Sequence, residues 1–203
     1  MNFYTNVLQY GNSILVREVR NGERTTRRVK YEPTLFDLVK TREETGYKTL
    51  DGKSVLPHHF HSIKEAKQWV ADRENQDIIY GNTQYPYCWI ADEYPKQVDW
   101  DLDQMLMYTI DIEVECENGF PKPEDAAEPM LSITIKNFQS GHIHVWGIGE
   151  FFTDREDVTY ILCESEVHLL KEFLAFWENN SPDIITGWNT EFFDIPYLCN
   201  RIR

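Results

Sequence analysis

Apolar and polar positions alternate through the first thirty residues. Val7 to Tyr10, Ile14 to Val19 and Thr25 to Tyr31 each read as strands, separated by Gly11-Asn12 and by Asn21-Gly22. Asn-Gly between alternating segments is a strong hairpin signal, because the tight turn joining two strands needs positive φ at both central positions. The opening is therefore expected to be a β-meander. A helical period follows: Ser62 with Glu65 three residues on forms a capping box, and Ile63, Ala66, Trp69 and Val70 give the helix to about Arg73 one apolar face. Residues 92–104 are polar and contain Pro95, which predicts two domains, 1–104 and 105–203.

Beyond that boundary, Met105 to Val114 reads as a buried strand interrupted only by acids. Leu131 to Phe138 and His142 to Ile148 form a hairpin around Ser140-Gly141, and Val158 to Cys163 is a further strand. Ser165 caps a helix running to about Glu178, with Val167, Leu170, Phe173, Leu174 and Trp177 as its expected core face. Ile184 to Trp188 is a strand, and a last helix starts near Thr190. Strands followed by alternating helix and strand predict α/β layering, three layers deep, rather than a β-sandwich. With the β-rich first third, the whole chain is expected to be α+β.

Charge divides the chain unevenly. Of the net −14, residues 1–105 carry −2 and residues 106–203 carry −12. An acid-rich half suits divalent cations better than phosphates. The first half holds one dense cationic cluster, Arg17, Arg20, Arg24, Arg27, Arg28 and Lys30 on the predicted hairpin. It reads either as a phosphate-contacting ribbon or as a solvated sheet edge blunted by charge. Cys88, Cys116, Cys163 and Cys199 lack CxxC spacing and are expected to be reduced thiols. His58, His59 and His61 lack further ligands at a fixed spacing. No run approaches ~18 apolar residues and Met1 to Asn6 show no leader pattern, so a cytoplasmic chain with no membrane partner is expected.

The chemistry concentrates in Asp111-Ile112-Glu113 and in Asn189-Thr190-Glu191-Phe192-Phe193-Asp194. On a strand, Asp111 and Glu113 share a face because side chains alternate with period 2. Apolar flanks at Leu106, Ile110, Ile112 and Val114 argue for a buried strand, where unpaired carboxylates are costly. Acids converging with a third, Asp194, on a helix are a donor set for hard divalent ions. Taken alone, Asp194 is also explained as a helix first-turn acid, and Asn189 as an N-cap.

Together these two motifs resemble the first and second exonuclease motifs of family B DNA polymerases. Asp111-Ile112-Glu113-Val114…Gly119-Phe120-Pro121 and Thr186-Gly187-Trp188-Asn189…Phe193-Asp194-Ile195-Pro196-Tyr197 are most similar to the T-even bacteriophage type. Tyr31-Glu32-Pro33-Thr34-Leu35-Phe36 and Ala66-Lys67-Gln68-Trp69 extend the resemblance over essentially the whole chain. The resemblance implies a small β-rich N-terminal domain followed by a ribonuclease-H-like 3′–5′ exonuclease domain. In it Asp111, Glu113 and Asp194 would be catalytic ligands of two Mg2+ or Mn2+ ions. Phe120, Asn189 and Phe193 would contact substrate, a single-stranded or primer-template DNA.

The family's third exonuclease motif, its last sheet strand and its polymerase motifs have no counterpart in these 203 residues. A truncated exonuclease domain, with a two-ion site weakened by the missing fourth carboxylate and little activity alone, is the resulting expectation. The alternatives are an inactive nucleic-acid-binding module, with RNA as a further partner of the basic hairpin, and a subunit completed by another chain carrying the rest of a polymerase.

Overall fold

The computed structural model describes residues 2–39, 45–117 and 119–203. The chain divides into two compact units, Met1–Trp100 and Asp101–Arg203, and the division falls inside the polar stretch 92–104. The fold is mixed α+β.

In the first unit β1 (Asn2–Tyr10), β2 (Ser13–Arg20) and β3 (Glu23–Lys30) form the expected antiparallel meander. Asn21 (φ 53°) and Gly22 (φ 84°) supply the two positive φ angles of the tight turn. A second sheet, in the order β5-β6-β4-β7, is built from β4 (Thr34–Leu38), β5 (Tyr47–Lys48), β6 (Ser54–His59) and β7 (Ile79–Tyr80). Helix α1 (Ile63–Ala71) starts as its capping box predicts. Ser62 Oγ accepts from the Glu65 amide at 3.2 Å, and the Glu65 carboxylate accepts from the His61 amide at 2.9 Å. Helix α2 (Tyr85–Glu93) has no side-chain cap and begins with a proline in its first turn. Ile14, Val16, Leu35, Ile63, Tyr85 and Trp89 are the buried heart of this unit.

The second unit contains β8 (Met107–Val114), β9 (Met130–Asn137), β10 (Ile143–Ile148), β11 (Val158–Cys163), α3 (Glu166–Asn180), β12 (Ile184–Thr186) and α4 (Asp194–Ile202). A short 3-10 turn, Leu102–Gln104, precedes β8. Its sheet has the order β11-β10-β9-β8-β12. Strands β8, β9 and β10 are antiparallel neighbours, while β11 runs parallel to β10 and β12 parallel to β8. This arrangement is consistent with a ribonuclease-H-like sheet.

Alternation along β8 is strict: Tyr108, Ile110 and Ile112 are buried, while Thr109, Asp111 and Glu113 are exposed. The inner side continues through Ile133 and Ile135 on β9 and Trp146 on β10, against Leu169 and Phe173 of α3 and Tyr197 and Leu198 of α4. Each fully buried Ile is worth about 1.5–3 kcal/mol of transfer free energy, so apolar burial alone fixes which side of β8 faces inward. Both helices feed this one core, so two of the three expected layers are present among the described residues.

Three local expectations differ from what is found. The core face of α3 is shifted: Phe173 is buried and Leu170 and Trp177 pack against the core as expected, but Leu169 and Phe176 join them, whereas Val167 is 60% and Leu174 is 40% exposed. Strand β12 ends at Thr186 rather than Trp188, and α4 begins at Asp194 rather than near Thr190. Asn189 is therefore no helix cap. It takes positive φ (57°), and its carbonyl accepts from the amides of Phe192 and Phe193, closing a turn ahead of the helix.

Candidate active site

Strand β12 pairs with β8 only over Met107 to Thr109. Above that point the β12 side of β8 has no strand beside it among the described residues, and the amide of Ile112 would be an orphan donor. Asp194, the first residue of α4, fills the place: its Oδ1 accepts from Ile112 N at 3.1 Å. Asp194 is 3% exposed. Burial raises its carboxyl above the ordinary range, the amides of Ile112 and of Asp194 itself pull it back, and the nearby Asp111 charge raises it again. Asp111 and Asp194 are thus electrostatic neighbours.

Glu113 stands two residues along β8, on the same exposed side as Asp111. The predicted convergence is incomplete. Among the described residues, no three carboxylate, histidine or cysteine side chains are arranged as a ready metal cage. The reason is geometric. Asp194 is held at the strand edge by the Ile112 amide, whereas Asp111 and Glu113 project from the outer side of the sheet. The donors that are present are all carboxylate oxygens, which fit a hard divalent cation such as Mg2+ or Mn2+ rather than zinc.

The route from β12 to α4 is tight. A Cβ on Gly187 would strike Thr190 Oγ1 and lie 2.5 Å from the carbonyl oxygen of Ile110, so only glycine lets the turn lie against β8. Thr186, Gly187, Asn189, Thr190, Glu191 and Phe192 line a cleft of about 360 Å3 there. Asn189 thus stands at a concave surface in the turn that leads to Asp194.

Phe120 is 78% exposed, and its ring centroid lies 5.1 Å from that of Phe193. Phe193 in turn sits 5.5 Å from Tyr197, whose hydroxyl donates to the Glu128 carbonyl at 2.7 Å. The exposed ring is therefore the end of an aromatic series rooted in α4. Sequence reasoning did not single out Trp188 (93% exposed) or Phe192 (74% exposed). Large aromatics within a few residues of Asp194 were the available signal.

Helix α4 is braced from behind. Arg201 grips Glu166 at the start of α3 through two bonds of 2.6 and 2.7 Å, and Glu166 also accepts from the Met130 amide at 2.9 Å. The Arg201 guanidinium holds the Glu166 carboxyl below its ordinary range against the opposing effect of burial. This brace fixes the helix that carries Asp194.

The cationic hairpin is more divided than its sequence suggests. Arg20 and Arg27 both contact Glu18, whose side chain is fully buried, at 2.8 and 2.6 Å, and both reach Glu93. Burial works against the Glu18 charge, but the bonds from Arg27 and Arg20 outweigh it and lower the carboxyl. Arg28 lies 5.3 Å from the centre of the Tyr10 ring, and Lys30 pairs with Glu32 at 2.6 Å. Arg17 and Arg24 complete the set on β2 and β3. Of the three histidines, His58 faces Asp37 at 3.3 Å and His59 faces Thr34 at 2.9 Å, and neither joins a metal cluster among the described residues. Among the described residues, no helix is long and apolar enough to cross a membrane.

Comparison with known proteins agrees with this geometry. Residues 67–203 match the family described as DNA polymerase family B, exonuclease domain. The DNA-directed DNA polymerase of Escherichia phage RB69 is 31% identical over 99% of this chain and 25% of its own length. That of Enterobacteria phage T4 is 30% identical over the same shares. The DNA polymerase catalytic subunit of human herpesvirus 7 is 34% identical over 57% of the chain and 12% of its own length. The chain spans about a quarter of the length of the two phage relatives. With both carboxylate motifs inside a match covering residues 67–203, the chain belongs to DNA polymerase family B and carries its exonuclease domain.

Proposed function

We propose that Asp111, Glu113 and Asp194 are the hydrolytic carboxylates of a divalent-metal-dependent 3′–5′ exonuclease acting on DNA. The observation that carries this reading is the pairing of Asp194, fixed on the Ile112 amide, with the neighbouring Asp111. Two buried or crowded acids of like charge are costly without a cation to share. A bound Mg2+ or Mn2+ supplies the Lewis acidity that generates hydroxide and stabilises a leaving oxygen. The chain's own residues do the rest. Asp194 is pre-set by β8 and α4, Asp111 and Glu113 would supply the remaining carboxylate donors, and Phe120 with Phe193 offers a face for an unstacked terminal base. Asn189 stands at the adjoining cleft to contact the same nucleotide. The preferred substrate is accordingly a single-stranded 3′ end, and the two units correspond to an N-terminal domain and an exonuclease domain.

The test is shortening of a 5′-labelled single-stranded oligonucleotide by the purified chain in Mg2+, Mn2+ or EDTA. Slow stepwise loss from the 3′ end, the rate of a site short of one carboxylate, is expected with metal and none with EDTA. Asp111→Ala and Asp194→Ala should each slow it ~100-fold or more, the usual contribution of a positioned catalytic group. Equal degradation by wild type and Asp111→Ala would refute the reading.

A further inference from the structure

Strand alternation sorts the six hairpin cations into two groups. Arg20 and Arg27 lie on the side that carries Ile14, Val16 and Glu18, where they are consumed by Glu18 and Glu93. Arg17, Arg24, Arg28 and Lys30 lie on the opposite side of β2 and β3; Leu8 and Tyr10 of β1 share the Arg28 and Lys30 end of that side, whereas Phe3 and Val19, both buried, share the Arg24 end. Arg24, Thr26, Arg28 and Lys30 are all exposed, and Tyr10 is 59% exposed. By register this outer side of the three strands contains no Asp or Glu. The Lys30–Glu32 pair is made between two largely exposed side chains, so solvent screens it and it can open to another anion.

A chain carrying 34 acids has thus placed none of them at the strand positions of this side and has planted cations along it. Alternate residues on a strand stand about 7 Å apart, so Arg28 and Lys30, with Arg24 further along, form a line rather than a cup. A line of cations follows a polymer of phosphates better than it follows one compact anion. The Tyr10 ring, with the Arg28 guanidinium 5.3 Å from its centre, gives the same face a stacking surface for a planar base. Bases in a duplex are already stacked, so an exposed ring on a flat sheet selects single strands.

We propose that the outer face of β1–β3 binds single-stranded DNA, with phosphates along Arg24, Arg28 and Lys30 and a base against Tyr10. The site is separate from the carboxylates and does not depend on their activity. It is tested by fluorescence anisotropy of a labelled oligo(dT) with the whole chain in EDTA, titrated at several salt concentrations. The Arg24→Glu/Arg28→Glu/Lys30→Glu variant should bind at least ~10-fold more weakly, and its salt slope should fall by about 2, near 0.7 for each lost phosphate contact. An Arg24→Gln/Arg28→Gln/Lys30→Gln variant, checked for an unchanged thermal unfolding curve, should show the same direction if charge reversal disturbs the fold. Tyr10→Ala should weaken binding several-fold at an unchanged salt slope, and Asp111→Asn should leave binding intact. Wild-type affinity in both triple variants would overturn the proposal, as would tighter binding of duplex DNA or of an RNA of the same sequence. Loss of binding in Asp111→Asn under EDTA would place the DNA at the carboxylates instead.

Discussion

Asp194 hangs its carboxylate on the backbone of the neighbouring strand, accepting from Ile112 N at 3.1 Å while remaining 3% exposed. A buried acid raised above its ordinary range binds its proton more tightly folded than unfolded. Its charge therefore opposes folding, increasingly so as pH rises from the unfolded value of 3.8 through the raised folded one. Asp194→Asn keeps an oxygen acceptor for Ile112 and removes the charge. The variant should unfold at higher urea than wild type at pH 7, with the difference vanishing near pH 3, while nuclease activity is lost. A less stable Asn variant at pH 7 would show that the charge is already compensated.

Divalent cation should reverse that difference. Mg2+ or Mn2+ at ten times its dissociation constant stabilises the folded chain by about 1.4 kcal/mol through mass action. Calorimetry should show the melting temperature of the wild type rising with metal, and that of Asp111→Asn and Asp194→Asn staying level. A rise of equal size in all three would place the ion elsewhere.

Gly187 lies where the β12 turn meets β8, and a Cβ there would strike Thr190 Oγ1 and the Ile110 carbonyl. Gly187→Ala should cost about 1–3 kcal/mol, the range for forcing an extra methyl into a packed site. Because the same turn leads to Asp194, activity should fall more than stability does. Urea unfolding compared with nuclease rate on the same samples separates the two effects.

The Arg201–Glu166 brace gives a pH signature of opposite sign to Asp194. The Glu166 carboxyl is lowered, so its stabilisation is present above the unfolded value of 4.5 and is lost as pH falls through the folded one. Glu166→Gln should cost about 2 kcal/mol at pH 7, since it unpairs a half-buried guanidinium and weakens the Met130 bond. The gap to wild type should close by pH 3 in denaturant titrations.

His144 packs against Trp146 and Phe176, and burial lowers it below its ordinary value of 6.5, helped by His142. A base lowered on folding favours the neutral form, so stability falls once pH drops below 6.5. His144→Phe should remove that fall, visible as a flatter stability curve between pH 5 and 7.

The carboxylate motifs and the meander were legible because each rests on local rules: Asp111 and Glu113 on strand alternation, Asn21-Gly22 on positive φ, Ser62 and Ser165 on capping. The face of α3 was legible in part. Leu170, Phe173 and Trp177 reach the core as expected, but Leu169 and Phe176 join them while Val167 and Leu174 stay exposed, because a helix apolar round most of its circumference does not encode which edge of the stripe meets the sheet. Asn189 looked like a cap because caps and left-handed turn residues draw on the same residue types. The splitting of the cations at Arg20 and Arg27 was hidden because Glu93 comes from a helix, α2, with no capping signal of its own. The seat of Asp194 on the Ile112 amide lies past the point where β12 stops pairing with β8, which no spacing encodes.

Strand β8 carries the core on Tyr108, Ile110 and Ile112 and the acids on Asp111 and Glu113, one behind the other. A single-residue insertion or deletion between Met107 and Asp111 would invert the strand beyond it, driving carboxylates among the isoleucines and turning the isoleucines to water. A two-residue change would restore the phase. Over evolutionary time this segment can drift in length by even steps, whereas an odd step needs a compensating bulge of the kind β8 already carries between Glu113 and Val114.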